Sequence, residues 1–312
     1  MGKSETVIEA WQLSKNFGST KAVRSVSFKV KRGEVFGIFG PNGAGKTTTI
    51  RLLCGQTAPS SGSAVVCGAD ISRAPTKVRE NLAILPEEVS FYEKMTPLKY
   101  LNFFARMAGH GSHSARGRID KVTRISEISG FLRKPISKLS HGQRQKLSIA
   151  RTLLSDVPVM FLDEPFSGID IIHRKALREY LGKYVAKGNT VFFTSHNLIE
   201  AEHIVDRFAF IDGGKILTIG SARELRDKYL LPSYALRVGE PSRARKKISK
   251  ALATTECYLK KDEVWVTLRK RKDVSRIAVI LGKAGIPLNE MRQVGTMEEV
   301  FLRMRQRKGG SL

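Results

Sequence analysis

Short apolar runs separated by helix-periodic segments set the pattern over the first two-thirds of the chain. Val35–Phe39 is one such run, and a Gly-rich turn follows it. From Lys46 to Cys54 the spacing changes to that of a helix, with Ile50, Leu53 and Cys54 on one side. Val159–Leu162, Thr190–Thr194 and Phe208–Ile211 repeat the short apolar run. Runs without polar alternation, separated by helices, predict a parallel sheet covered on both faces. Between Thr96 and Asp156 only helical spacing occurs. Thr96-Pro97 supplies a cap and a first-turn proline, and Leu98, Leu101, Asn102 and Ala105 follow at helical intervals. Residues 91–156 therefore read as a helical insertion in an α/β core.

A Leu-Leu-Pro-Ser step within Tyr229–Ser233 ends a charged helix and marks a boundary between a domain at 1–230 and a smaller one at 233–312. The smaller domain reads as strand (Tyr234–Val238), helix (Arg243–Ala253) and two strands (Cys257–Lys260, Val264–Leu268). A helix (Val274–Ala284), a strand (Leu288–Val294) and a last helix (Met297–Arg305) follow. This order is that of a ferredoxin-like α+β domain.

Composition narrows the class. With 41% hydrophobic residues over 312 positions, the chain can bury a real core and is not disordered. No apolar run reaches the roughly 18 residues that a membrane-spanning helix needs. The N-terminal MGKSETVIEAW has no signal-peptide stretch, and Gly2 meets a short myristoylation pattern that arises readily by chance. Cys54, Cys67 and Cys257 form neither a metal-ligand spacing nor an even disulfide set, which suits a reducing compartment. The net charge of +25 is compatible with nucleic acid, an anionic lipid surface or simple solvation. Residues 233–312 carry 19 basic and 8 acidic residues, a net of +11, so the excess concentrates there.

Chemistry enters at Gly40–Thr47, GPNGAGKT, which fits G-x-x-x-x-G-K-[ST] between a predicted strand and a predicted helix. Glycines let the backbone wrap phosphates with its N–H groups inward, at the positive end of the helix. In such a loop the lysine, here Lys46, reaches the β- and γ-phosphates, and the hydroxyl of Thr47 ligates Mg²⁺. Downstream, Val159–Leu162 runs into Asp163 and Glu164. Asp163 suits the carboxylate that supports the magnesium shell, and Glu164 stands where it could polarise a water. At Leu139–Gln143, LSHGQ, Ser140 and Gln143 have capping-box spacing, so a helix begins there and presents a second set of free N–H groups. Taken alone this is an ordinary capped helix. Two phosphate-ready helix ends in one chain suggest a shared site, in which one subunit covers the nucleotide of another.

With LSHGQ close to LSGGQ, the chain resembles the ATP-binding subunits of ABC transporters over about residues 5–225. Other landmarks stand in family order: SGID at Ser167–Asp170 resembles the D-loop, and TSH at Thr194–His196 the switch strand end. Phe17 sits where an aromatic stacks on adenine, and LPEE at Leu85–Glu88 where the Q-loop belongs. Thr296–Leu302, TMEEVFL, resembles the C-terminal extension of drug- and polysaccharide-exporter ATPases. The resemblance implies a P-loop NTPase fold of ABC type with a helical subdomain, using ATP and Mg²⁺. It implies that Gly40, Pro41, Asn42, Gly43, Ala44, Gly45, Lys46, Thr47 and Thr48 hold the nucleotide, with Thr47, Glu87 and Asp163 around the metal. Glu164 is implied as catalytic base and His196 as the γ-phosphate contact. Ser140, Gly142 and Gln143 then reach the nucleotide of the opposite subunit, and Asp170 joins the halves.

The expected partners are a transmembrane permease and a second copy or a paralogue, at the cytoplasmic face of the membrane. An anionic lipid surface is a further expected partner of the basic C-terminal domain. Phe91, Tyr92, Leu101 and Phe104 are candidates for the permease contact. The competing expectation is a soluble ATPase acting on nucleic acid or ribosomes; the resemblance counts against it. Two residues depart from the family pattern. Glu87 replaces the usual glutamine, bringing a hard anion near the phosphates. His141 replaces a glycine of the signature and adds a titratable ring.

Overall fold

In the computed structural model, which describes residues 5–307, two compact units divide between Ile219 and Gly220. Gly2 lies outside the described residues. In the first unit, strands β1 (Thr6–Phe17), β2 (Thr20–Lys31) and β3 (Val35–Phe39) lead into α1 (Lys46–Leu53). Then come β4 (Ser61–Val66), β5 (Ala69–Asp70), α2 (Pro75–Glu80) and β6 (Leu82–Leu85). Helices α3 (Pro97–Met107), α4 (Ser112–Ile125) and α5 (His141–Thr152) follow without an intervening strand. The unit closes through β7 (Val159–Asp163), α6 (Ile171–Ala186), β8 (Thr190–Ser195), α7 (Leu198–Ala201), β9 (Arg207–Asp212) and β10 (Lys215–Gly220).

Six strands form one sheet in the order β10-β9-β3-β8-β7-β6, and the four pairings from β9 to β6 are parallel. Strands β3, β7 and β8 are buried at every position, as their unbroken apolar runs require. A second, antiparallel sheet runs β2-β1-β4-β5. Helix α1 touches β2 and β4 on one side and β7 and β8 on the other, so its buried Ile50, Leu52 and Leu53 join the two sheets in one core. Phe28 of β2 stacks on Phe36 of β3 at 5.5 Å, and Phe36 on Phe192 of β8 at 5.6 Å.

The antiparallel sheet has a weak sequence signal. Gln12 and Ser25 both adopt left-handed backbone (φ +46° and +50°), and the β1–β2 register slips between Ala10 and Leu13. A bulge shifts the side-chain alternation, so the period-2 pattern fails there. Gly62 of β4 is required at this bulge, since a Cβ would stand 2.2 Å from the Gln12 carbonyl oxygen.

The helical insertion packs α3, α4 and α5 against one another around Tyr100, Leu101, Ile119 and Leu147. The Thr96 hydroxyl accepts from Lys99 N and caps α3. Leu101 is fully buried, which removes it from any partner surface. Tyr92 and Phe103 are the exposed aromatics of this region.

In the second unit, α8 (Ala222–Tyr229) precedes β11 (Ser233–Val238), α9 (Pro241–Ala251), β12 (Thr254–Lys260) and β13 (Glu263–Leu268). Helix α10 (Val274–Lys283), β14 (Leu288–Val294) and α11 (Met297–Arg307) complete it. The sheet order β12-β13-β11-β14, antiparallel throughout, is the ferredoxin-like topology. Leu236, Val238, Val264, Val266 and Leu268 pack under α9 and α10 with Ala244, Ile248, Ile277 and Leu281. The division falls ahead of the Tyr229–Ser233 step because α8 packs on α11 and its Arg226 Nε donates to Gly295 O at 2.9 Å.

Candidate nucleotide site

The turn between β3 and α1 is shaped by close approach. A Cβ on Gly40 would lie 2.1 Å from the Ile211 carbonyl oxygen, and one on Gly45 (φ +102°) 2.3 Å from that of Ala22. Only glycine permits these contacts. Lys46 opens α1 and is 6% exposed; its Nζ folds back to donate to Gly40 O at 2.9 Å and Pro41 O at 3.3 Å. Asn42, Gly43, Gly45, Lys46, Thr47 and Thr48 line a cleft of about 190 Å³, with Ala22, Glu87 and Glu164 closing it. Wider clefts exist, including one of about 670 Å³ between α4 and α6, but that one gathers none of these groups.

Two carboxylates stand at the end of β7. Asp163 is 1% exposed and accepts from the hydroxyl of Thr194, with the hydroxyl of Thr47 close by. Burial holds its carboxyl above the ordinary range, and the Glu164 charge adds to this, while the two hydroxyls and Lys46 oppose it. Glu164 has a left-handed backbone, φ +49°, of the kind that clusters at functional sites. Its N–H is held by Thr194 O at 3.2 Å, and Ser195 Oγ donates to its Oε2 at 3.2 Å. The other oxygen, Oε1, lies 3.0 Å from His196 Nδ1 and 3.5 Å from Lys46 Nζ, at ion-pair distance, yet makes a hydrogen bond with neither. A carboxylate so placed can accept a proton. Thr47 Oγ1 is 3.4 Å from Glu87 Oε2. One hydroxyl and two carboxylates, Thr47, Glu87 and Asp163, are hard oxygen donors of the type Mg²⁺ takes.

A second cluster forms where α5 begins. Ser140 Oγ accepts from Gln143 N at 3.3 Å and Gln143 Oε1 accepts from Ser140 N at 3.1 Å, a full capping box. The His141 ring lies against Gly168: a Cβ there would be 3.0 Å from its Cδ2 and Nε2. A Cβ on Gly142 would stand 3.0 Å from Gly168 O. Asp170 caps α6 by accepting from His173 N at 3.0 Å, and Lys146 Nζ of α5 reaches its Oδ2 at 3.0 Å. The His173 side chain, its backbone N–H and Lys146 hold the Asp170 carboxyl well below the usual range. Phe17 is half-exposed at the end of β1, with Lys15 Nζ 5.1 Å from its ring centre.

Lys46, Thr47, Glu87, Asp163, Glu164 and His196 thus share one cleft region, while Ser140, Gly142, Gln143 and Asp170 belong to the cluster around α5. Sequence reasoning gave no role to the hydroxyls of Thr194 and Ser195, which fix both acids. Their signal was the hydroxyl pair immediately before His196. It also missed Arg144, whose Nη2 meets Glu93 Oε2 at 2.9 Å and ties α5 to the segment before α3.

A phosphate loop, a strand ending in two acids and a capped helix on an all-helical insertion define a P-loop NTPase of the ABC type. The family model for ABC transporters matches residues 23–167. YbhF of Escherichia coli, a probable multidrug ABC transporter ATP-binding protein, is 39% identical over 229 residues, covering 71% of this chain. The chain spans only 38% of the length of that relative. The Nod factor export ATP-binding protein I of Ralstonia nicotianae is 33% identical over 222 residues, 71% of this chain and 69% of that one. YhcH of Bacillus subtilis, an uncharacterized ABC transporter ATP-binding protein, is 31% identical over 304 residues, 96% of each chain. A solved ATP-binding subunit of an ABC transporter superposes with a TM-score of 0.67 at 29% identity, covering 72% of this chain and 93% of that one. The chain belongs to the family of ABC transporter ATP-binding proteins. Action on nucleic acid or ribosomes is not favoured by these relatives, and contact with a lipid surface finds no support in them. No helix among the described residues is long and apolar enough to cross a membrane.

Proposed function

We propose that the chain is the ATP-binding and hydrolysing subunit of an exporter. It works at the cytoplasmic face of the membrane with a separate transmembrane permease, paired with a second copy or a paralogue. The observation that carries this reading is Glu164, buried between Lys46 and His196 with Oε1 in no hydrogen bond. The loop amides from Gly40 to Thr48 and the Lys46 ammonium grip the phosphates, and Phe17 stacks on the adenine. Thr47, Glu87 and Asp163 would hold Mg²⁺, which supplies charge neutralisation at the phosphates when bound. Glu164 takes the proton of the attacking water, and His196 orients that water against the γ-phosphate. Ser140 and Gly142 of the partner subunit cover the same phosphate, so ATP closes the pair and hydrolysis releases it. Export as the direction is supported by the Nod factor export relative and by the multidrug relative YbhF.

The shared site is tested by cross-linking. In a chain with Cys67 and Cys257 replaced by serine, Asn42→Cys and Ser140→Cys should form an inter-subunit disulfide with ATP present and none without it. An ATP-loaded dimer that never cross-links at this pair would overturn the arrangement.

A further inference from the structure

The C-terminal sheet buries one face under α9 and α10; its other face carries chemistry of its own. Val264, Val266 and Leu268 enter the core, so by strand alternation Glu263, Trp265 and Thr267 occupy the opposite face. Register places Tyr258, Trp265, Ala235 and Arg292 side by side across the four strands, with Lys260, Glu263, Arg237 and Glu290 in the adjacent row. The half-buried indole of Trp265 stacks on Tyr258, with ring centres 6.2 Å apart. Lys260 Nζ stands 4.3 Å from the indole centre and the Arg292 guanidinium 5.8 Å.

This shelf is pre-set. Glu263 Oε2 accepts from Trp265 Nε1 at 3.2 Å and from Arg292 Nη2 at 2.7 Å, fixing ring and guanidinium together. Lys260 and Lys261 meet no carboxylate within ion-pair distance among the described residues, whereas Arg237 pairs with Glu290 at 3.6 Å. A cleft of about 800 Å³, within the range of small-molecule pockets, is lined by Trp265, Arg292, Lys260 and Lys261, with Asp262 and Glu263 also on its wall. A solvated basic surface would account for the lysines. It does not account for a fixed, half-buried tryptophan on which two cations converge.

We propose that this face binds a planar aromatic anion, its ring on Trp265 and its charge met by Lys260 and Lys261. Lys260 is long enough to leave the indole face and follow the anionic group. The ring and charge could come from a mononucleotide or from a simple aromatic acid, and the test separates these. Trp11→Phe in the full chain leaves Trp265 as the sole tryptophan, since the sequence has two. Its emission is titrated with AMP, with salicylate and with neutral salicylamide. Saturable quenching by salicylate and AMP, but not by salicylamide, is expected; quenching by AMP alone would restrict the ligand to nucleotides. Lys260→Ala should weaken the binding about tenfold, the effect of one lost cation contact of roughly 1.4 kcal/mol, and Lys261→Ala should weaken it less. No saturable quenching by either anion, equal quenching by salicylamide, or unchanged affinity in both lysine variants would overturn the proposal.

Discussion

At the end of β7, Asp163 and Glu164 are 1% and 6% exposed and are held by hydroxyls from Thr194 and Ser195. At the start of α5, Ser140 and His141 face solvent, and the bonds made there close a helix cap. The first region is organised for chemistry within one chain: its carboxylates are aimed, desolvated and backed by a strained residue. The second is complete only as a piece of secondary structure. The contrast teaches which losses each region should show on mutation. Groups in the cleft act on the reaction, because fixed dipoles and charges in a dry site act without reorganising. Groups at the helix start act on stability and on whatever approaches from outside.

The largest effect should come from Glu164→Gln. The amide is nearly isosteric and keeps a donor and an acceptor toward Ser195 and Lys46, but it cannot take a proton. Turnover should fall about a thousandfold, within the span of general-base catalysis, while ATP affinity stays within a few-fold of wild type. Steady-state hydrolysis and equilibrium ATP binding measure the two separately. Near-normal hydrolysis would mean that another group deprotonates the water, and the contrast between aimed cleft and idle cap would lose its first term.

Much of the cleft was legible because its signals are local. The loop from Gly40 to Thr47 needs a strand before it and a helix after it, and both are written in adjacent residues. The acids follow directly on an apolar run. The ferredoxin-like order of the smaller domain was legible for a similar reason: Val264, Val266 and Leu268 alternate cleanly. Two features were hidden. The β1–β2–β4 sheet is obscured by left-handed backbone at Gln12 and Ser25, which resets the alternation with no glycine at either position to announce it. The anchoring of Asp163 by Thr194 spans 31 positions and depends on β7 and β8 being neighbours, which no spacing rule reveals. Leu101 shows the opposite failure, since a helical stripe does not say which apolar residues face the core and which face a partner.

A smaller effect is expected from Ser140→Ala, and it sharpens the comparison. Losing the cap should cost about 1 kcal/mol of stability, read as a lower midpoint in urea. In the shared-site reading the same change should also weaken ATP-driven pairing of subunits while leaving ATP affinity of the isolated subunit unchanged. Sedimentation with and without ATP distinguishes the outcomes. A variant that is less stable but pairs as well as wild type would leave α5 as a capped helix with no role at the phosphate.

The smallest effect concerns Asp170, and its pH dependence follows from the sign of its shift. Its folded pKa is held below the ordinary aspartate value, chiefly by the bond from His173 and then by Lys146. A depressed acid contributes stability that is complete above its unfolded pKa, near 3.8, and lost as pH falls through the folded one. Asp170→Asn keeps an oxygen to cap His173 N but removes the charge. The stability gap between wild type and variant should therefore be constant from neutral pH down to about pH 4 and close below it. Salt should shrink it at neutral pH, because the pair with Lys146 involves a half-exposed carboxylate. Urea melts of both proteins at several pH values, at low and high salt, read this directly. A gap that persisted unchanged into strong acid would show that Asp170 works through shape alone. The helix starts would then owe their order to capping geometry, with charge confined to the cleft.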